Sequence, residues 1–301
     1  VIVADAVVEG PDTKLGVAAY ADTELPGQRA KTLKNTGWYV LLGLLSVVVL
    51  FPVYMTVVRA VSTPVQYINA GLPFHPVDFQ PGAFADAWTE GDLASHMWLS
   101  LVVTVVIASC QLVTSVLAAY AFAFLDFFLK RVVFVLVMAT LMLPIEVTLI
   151  TNVRLVREWE LFNSVPGLTL PFLATAFGIF LIRQGFMGVP EDLRDAARLD
   201  GYGHLAFLWK IAVPVTRPVI ASFAVISLLS AWNQYLWPRS IVTEGSSETI
   251  QIALKGLLSS TPERANIGIA GAIIAAVPVL IILIVLQKHV IRGLTAGAVK
   301  G

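Results

Sequence analysis

Hydrophobic positions along this chain fall in long uninterrupted blocks, not in the alternating or three-to-four-residue patterns of half-buried strands and surface helices. Six blocks reach the length of about 20 residues that a helix needs to cross a hydrocarbon core of about 30 Å. The first lies between Lys34 and Arg59, centred on Trp38 to Val58, and the second between His96 and Asp126. The third runs from Val132 to Val153 with one charge, Glu146, and the fourth from Leu161 to Ile182. The fifth covers Pro218 to Pro238 and the sixth Ala265 to Gln287. Prolines predict where these helices are irregular. Pro144 frees backbone groups just before Glu146, and Pro166, Gly167 and Pro171 delay the regular part of the fourth span.

The segments between the blocks are polar. Residues 1–34 are punctuated by Gly and Pro and end in Arg29, Lys31 and Lys34, which reads as a mobile tail; the order is the reverse of a cleaved signal peptide. Ser62 to His96 places Pro64, Pro73, Pro76 and Pro81 among Phe74, Asp78 and Asp86, as expected of a loop in water. Asp126 to Arg131 is a tight basic turn that makes its flanking spans antiparallel neighbours. Residues 183–217 are helical in pattern but too charged to cross. The expected organisation is a tail (1–34), a first span with its loop (35–96), a core (97–293) containing segment 183–217, and a short tail (294–301).

Composition agrees: 57% of residues are hydrophobic and 13% charged, against about 25% charged in soluble domains. A net charge of zero and a pI near 7.1 provide no basic field for nucleic acid. Cys110, the single cysteine, sits in an apolar run as a packing residue, and His75, His96 and His289 lack metal-ligand spacing. His204 reads as solvated. Six spans put both termini on one side, together with Lys14, Arg29, Lys31, Lys34, Lys130, Arg131, Arg183, Arg194, Arg198, Lys210, Arg217, Lys288, Arg292 and Lys300. The other side holds only Arg59, Arg154, Arg157, Arg239, Lys255 and Arg264. Basic residues are retained in the cytoplasm, so both termini are expected there.

The most informative stretch is Pro190-Glu191-Asp192-Leu193-Arg194-Asp195-Ala196-Ala197-Arg198-Leu199-Asp200-Gly201 and the residues after it. Pro190 suits a helix start, Glu191 and Asp192 complement the dipole, and Gly201 supplies a C-terminal cap. Ala196 and Ala197 give this short helix a face that another surface can approach closely. A second helix, His204 to Ile211, is anchored by Phe207, Leu208 and Ile211 and is expected to stop at Pro214. The plain alternative is an interfacial hairpin that only connects two spans.

Asp195-Ala196-Ala197, three residues, Gly201, nine residues, then Ile211-Ala212-Val213-Pro214 resembles the EAA loop of bacterial ABC importer permeases. Asp195 stands where that family usually has Glu, and Val213 where it has Leu. From about Met97 to Gly293, Gly178 to Gln184 and Ala231 to Pro238 are similar to the maltose-permease-like, carbohydrate-uptake group. The resemblance implies an all-α integral membrane fold with a five-helix core and one peripheral N-terminal helix, in the bacterial plasma (inner) membrane. It also implies that Asp195, Ala196, Ala197, Asp200, Gly201, Phe207, Ile211 and Pro214 form a coupling helix and its mount, docking on a separate ATPase subunit. The expected partners are a pair of ATPase subunits that bind ATP and Mg, a sister permease in a heterodimer, an extracytoplasmic substrate-binding protein and membrane lipid. This chain has no Gly-x-x-x-x-Gly-Lys-Ser/Thr loop, so it is expected to be a non-catalytic permease subunit without a cofactor of its own.

Polar residues at membrane depth are candidates for the translocation path. Glu146 either reaches water or pairs with Arg154 or Arg157 near the outer end of its span, or gates or lines the path. Trp232, Tyr235 and Trp237 are either interfacial anchors or, with Asn233 and Gln234, a surface offering ring faces and hydrogen bonds to a sugar or polyol. Leu141 to Val147, Gly167 to Pro171 and Trp232 to Pro238 are most similar to the permease subunits of Ugp-type sn-glycerol-3-phosphate importers. That implies sn-glycerol-3-phosphate or a glycerophosphodiester as cargo, with a sugar or oligosaccharide as the alternative. A secondary transporter, the rival from another class, would show repeated halves and several intramembrane carboxylates, and only Glu146 qualifies.

Overall fold

The computed structural model describes residues 28–71, 73–258 and 261–296, and divides between Thr56 and Val57 into two units. Residues 1–27 of the expected mobile tail and 297–301 of the expected C-terminal tail lie outside the described residues. The first helix, α1 (Gln28–Ala60), begins inside the segment expected to be tail, since a run of helix-favouring residues precedes the apolar block. Its side chains from Thr36 to Tyr54 are all exposed, the surface of a helix whose solvent is lipid.

In the second unit the expected water-exposed loop is folded. It contains α2 (Pro64–Asn69), α3 (Ala83–Glu90) and an antiparallel bridge between Ser62 and Phe79. It also ends earlier than expected, because Leu93 is fully buried and starts α4 (Leu93–Phe124). Then come α5 (Lys130–Ala139), α6 (Ile145–Glu158), α7 (Val165–Thr169) and α8 (Ala176–Met187). The polar segment forms α9 (Glu191–Leu199), α10 (His204–Phe207), a π-helical turn at Leu208–Ala212 and α11 (Val213–Val215). The remainder is α12 (Arg217–Trp232), α13 (Leu236–Ile241), α14 (Ile250–Leu258) and α15 (Ala265–Ala296).

Among the described residues, four helical stretches are long and apolar enough to cross a membrane: Thr36–Ala60, Leu93–Phe124, Arg217–Ile241 and Pro262–Gln287. Two bent pairs, α5 with α6 and α7 with α8, bring the number to six when each pair counts as one span. The break before α6 falls at Pro144, whose extended ψ of 140° interrupts the helix where the proline predicts it. The fourth span bends by 49°, and its regular helix starts at Ala176. That helix continues past Ile182 to Met187, which removes the first turn from the expected polar segment. Arg183 is accommodated because its Nε donates to the Phe122 carbonyl at 3.3 Å and its guanidinium lies 4.4 Å from the Phe134 ring centroid. The third span likewise runs on to Glu158.

The centre of the unit is α4 packed on α8 and α12, with α12 packed on α15. A Cβ at position 178 would overlap Phe223 and Ser115, so only glycine lets α8 seat this closely between α4 and α12. The bend before α8 leaves carbonyls without helical partners, and α4 supplies them. Gln111 Nε2 donates to the Phe172 carbonyl at 2.8 Å, and Thr114 Oγ1 to the Leu173 carbonyl at 3.0 Å. Ser227 on α12 completes the set by donating to Gln111 Oε1 at 2.7 Å. Lipid cannot satisfy broken-helix backbone, so these side chains are what permit the bend.

Candidate functional site

Two regions carry the residues singled out from the sequence: the polar hairpin α9 to α11, and the break between α12 and α13 with the start of α6. In the hairpin, Pro190 precedes the first turn and Glu191 and Asp192 occupy it. At the other end Gly201 has a φ of 75°. The Tyr202 amide donates to the Ala197 carbonyl at 2.8 Å and the Gly201 amide to the Arg198 carbonyl at 3.1 Å. This pair of bonds is a Schellman cap, which turns the chain sharply into α10.

Ala197 is 3% exposed and belongs to the core formed with Tyr120, Phe186, Phe207 and Leu208. The close approach expected of the two alanines is therefore, at Ala197, an approach to its own chain; only Ala196 faces outward. Phe207 is buried in the same core, Ile211 packs at its edge, and Asp195, Asp200 and Gly201 are exposed. The outward side carries large apolar groups that the motif does not include: Leu199 is 90% exposed and Leu205 68%, with Trp209 also exposed. Pro214 does not stop the second helix. Its missing N–H and its ring are absorbed by the π turn immediately before it, and the helix continues to Val215. Nor is His204 merely solvated, since its Nδ1 lies 3.1 Å from the Tyr120 hydroxyl of α4.

The second region differs from a continuous fifth span. α12 ends at Trp232, Asn233 to Tyr235 are non-helical, and α13 follows. Trp232 is 4% exposed and Trp237 2%, so neither is an interfacial anchor. Both are internal struts. The Trp232 carbonyl accepts from Gln251 Nε2 at 3.4 Å, and Trp237 Nε1 donates to the Gly167 carbonyl at 3.2 Å while its ring packs on Phe172. Asn233 is exposed and donates back to the Leu229 carbonyl at 2.8 Å, and the Tyr235 ring is partly exposed. Gln234 has a buried Oε1 with no donor against it among the described residues. Glu146 is exposed in the first turn of α6, a helix that packs on α13. Neither arginine expected as its partner turns to it: Arg154 pairs with Glu158 at 2.9 Å, and the Arg157 guanidinium lies 5.1 Å from the Phe162 ring centroid. Among the described residues no cluster of His, Cys, Asp and Glu could hold a metal ion.

Up to six apolar helical passes among the described residues, three of them broken, with a capped hairpin between the fourth and fifth, are the architecture of a multi-pass membrane protein. Residues 111–296 match the family described as the binding-protein-dependent transport system inner membrane component, and the chain belongs to that family. It is thus an ABC importer permease subunit. The sn-glycerol-3-phosphate transport system permease protein UgpE of Yersinia pestis bv. Antiqua is similar, at 32% identity over 254 residues, 82% of this chain and 90% of that protein. So is the arabinooligosaccharides transport system permease protein AraQ of Bacillus subtilis, at 31% identity over 264 residues, 86% of this chain and 93% of that protein. A bacterial ABC transporter involved in the import of the acidic polysaccharide alginate shares the fold, with a TM-score of 0.71 at 24% identity over 86% of this chain and 97% of that one.

Proposed function

We propose that this chain forms half of the path through which an ATP-driven importer takes up a carbohydrate-class solute, and that α9 and the hairpin behind it couple the spans to separate ATPase subunits. The observation that carries this reading is the two-sidedness of the hairpin. Ala197 and Phe207 tie it to the core that α4, α8 and α12 share, while Leu199, Leu205 and Trp209 stand outward. A surface built this way transmits a push from a docked protein into the spans. The basic side of the chain, which includes this hairpin, is the cytoplasmic side in this reading. A sister permease completes the path, a binding protein delivers the solute outside, and ATP with Mg is held by the ATPase pair.

The coupling role is tested with two substitutions in the assembled complex. Leu199→Asp alters only the outward side and is expected to abolish uptake while assembly in the membrane is retained. Ala197→Arg places a charge in the core and is expected to lower the amount of folded protein. Normal solute-stimulated ATP hydrolysis by the Leu199→Asp complex would refute the coupling role.

For the cargo, the similarity to UgpE supports sn-glycerol-3-phosphate or a glycerophosphodiester. A second reading, a neutral sugar or oligosaccharide, is supported by the similarity to AraQ and by one feature of the broken spans. Their polar groups include Glu146, Asn233, the Gln234 oxygen left without a donor among the described residues, and Tyr235, with Arg239 of α13 as the one exposed cation beside them, whereas Arg154 and Arg157 are engaged elsewhere. The hydrogen-bonding groups of this surface outnumber the single cation, Arg239, which favours a hydroxyl-rich solute. Uptake of labelled glycerol-3-phosphate in competition with glycerophosphocholine and an arabino-oligosaccharide separates the two: competition by the oligosaccharide alone excludes the phosphate reading.

A further inference from the structure

Between α4, α9 and α10 lies a cavity of about 190 Å³ that neither the translocation path nor the outward docking side uses. Its walls are Tyr120 and Phe124 from α4, Arg194, Ala197 and Arg198 from α9, and Tyr202 to His204 with Phe207 from the turn and α10. The charges facing it are of one sign. Arg194 is half-buried and has no carboxylate partner among the described residues. Arg198 meets Asp195 only at 3.7 Å, with both side chains more than half exposed. Pairs of that kind contribute little and leave the guanidinium free to turn inward. His204 is held in the wall by the Tyr120 hydroxyl, and Lys210 Nζ sits 5.0 Å from the Tyr202 ring centroid, adding a further positive charge behind it.

Two guanidinium forks, with one further donor from the hydrogen-bonded Tyr120–His204 pair, around a half-enclosed space form a donor set for a compact oxyanion, because planar arginine forks bind phosphate oxygens two at a time. The volume is below the roughly 300 Å³ where drug-sized ligand pockets begin, which suits a single phosphate group and not a nucleotide.

We propose that this cavity binds a phosphate-type oxyanion, supplied either by free phosphate or by an anionic lipid headgroup at the adjoining membrane surface. Bound there, the anion ties α9 to α10 and α4 and stiffens the hairpin. Arg194 and Arg198 are not among the spaced motif positions but lie on α9 itself, so the site is tested through hydrogen exchange and not through uptake.

Hydrogen exchange on the assembled transporter in nanodiscs tests this, reading peptides within residues 190–204. Three conditions are compared: phosphatidylcholine with chloride, phosphatidylcholine with inorganic phosphate at equal ionic strength, and phosphatidylcholine mixed with phosphatidylglycerol. Several-fold slower exchange with phosphate identifies a free anion as ligand, and slowing with phosphatidylglycerol alone identifies the headgroup. The slowing is expected to vanish in Arg194→Gln and to survive in part in Arg194→Lys. Exchange in the hairpin that is the same under all three conditions overturns the proposal, as does slowing that persists in the Arg194→Gln, Arg198→Gln double variant.

Discussion

Gly201 and Gln111 each hold a piece of geometry that no other residue supplies. At Gly201 a Cβ would meet nothing within 4 Å, so the demand for glycine comes from the backbone alone, at a φ of 75°. An L side chain there costs about 1–2 kcal/mol, concentrated in the cap, with Asn the mildest replacement. Gly201→Val is expected to speed hydrogen exchange at the Tyr202 amide and to lower uptake with insertion intact, while Gly201→Asn keeps most of the uptake. Equal uptake by the Val and Asn variants would show that the cap is dispensable. Gln111 acts as both donor and acceptor, to the Phe172 carbonyl and from the Ser227 hydroxyl. Gln111→Leu strands both groups, at about 1–3 kcal/mol each. Thermal unfolding of the purified complex should show the loss, and Gln111→Glu, which sets a carboxylate against the Phe172 carbonyl at membrane depth, should lose at least as much.

Among the elements, the junction from α10 to α12 is the part of the proposed coupling route that joins the hairpin to the fifth span. The π turn at Leu208–Ala212 inserts one extra residue per turn just ahead of Pro214 and so sets the rotation of α12 relative to α10. Pro214→Ala removes the clash that the π turn relieves. The variant is expected to relax toward regular helix, protecting the amides of 208–214 and lowering uptake per assembled complex. Unchanged exchange over these residues would mean that packing of Phe207 and Ala212 in the core holds the π turn without the proline. Breaks in the spans were unequally legible. Pro144 marks one and Pro166 with Pro171 another, while Asn233 to Tyr235 contain neither Pro nor Gly and are marked only from four residues on, by Pro238 in the first turn of α13, which cannot bond to the Gln234 carbonyl. The tryptophans on either side of it, Trp232 and Trp237, are buried, although composition reads them equally well as lipid-interface anchors. Helix phase could not tell that Ala197 points inward and Ala196 outward, and the Tyr120–His204 pair joins residues 84 apart in sequence, with no local trace.

At the scale of the molecule, the number and rough limits of the spans were readable because hydrocarbon admits only long, internally bonded apolar helices. The family was readable because the loop from Asp195 to Pro214 has fixed spacing between two of them. The cavity behind that loop was not, since its walls come from three separate stretches of chain. The central claim is that uptake through this chain is driven by ATP hydrolysed on a docked partner. It is tested by reconstituting the chain with its sister permease, ATPase and binding protein in proteoliposomes and following entry of labelled solute. Uptake is expected only with ATP on the side of the hairpin and binding protein on the other, and is expected to be lost in Leu199→Asp. Solute accumulation driven by an ion gradient without ATP, or undiminished in that variant, would contradict the account.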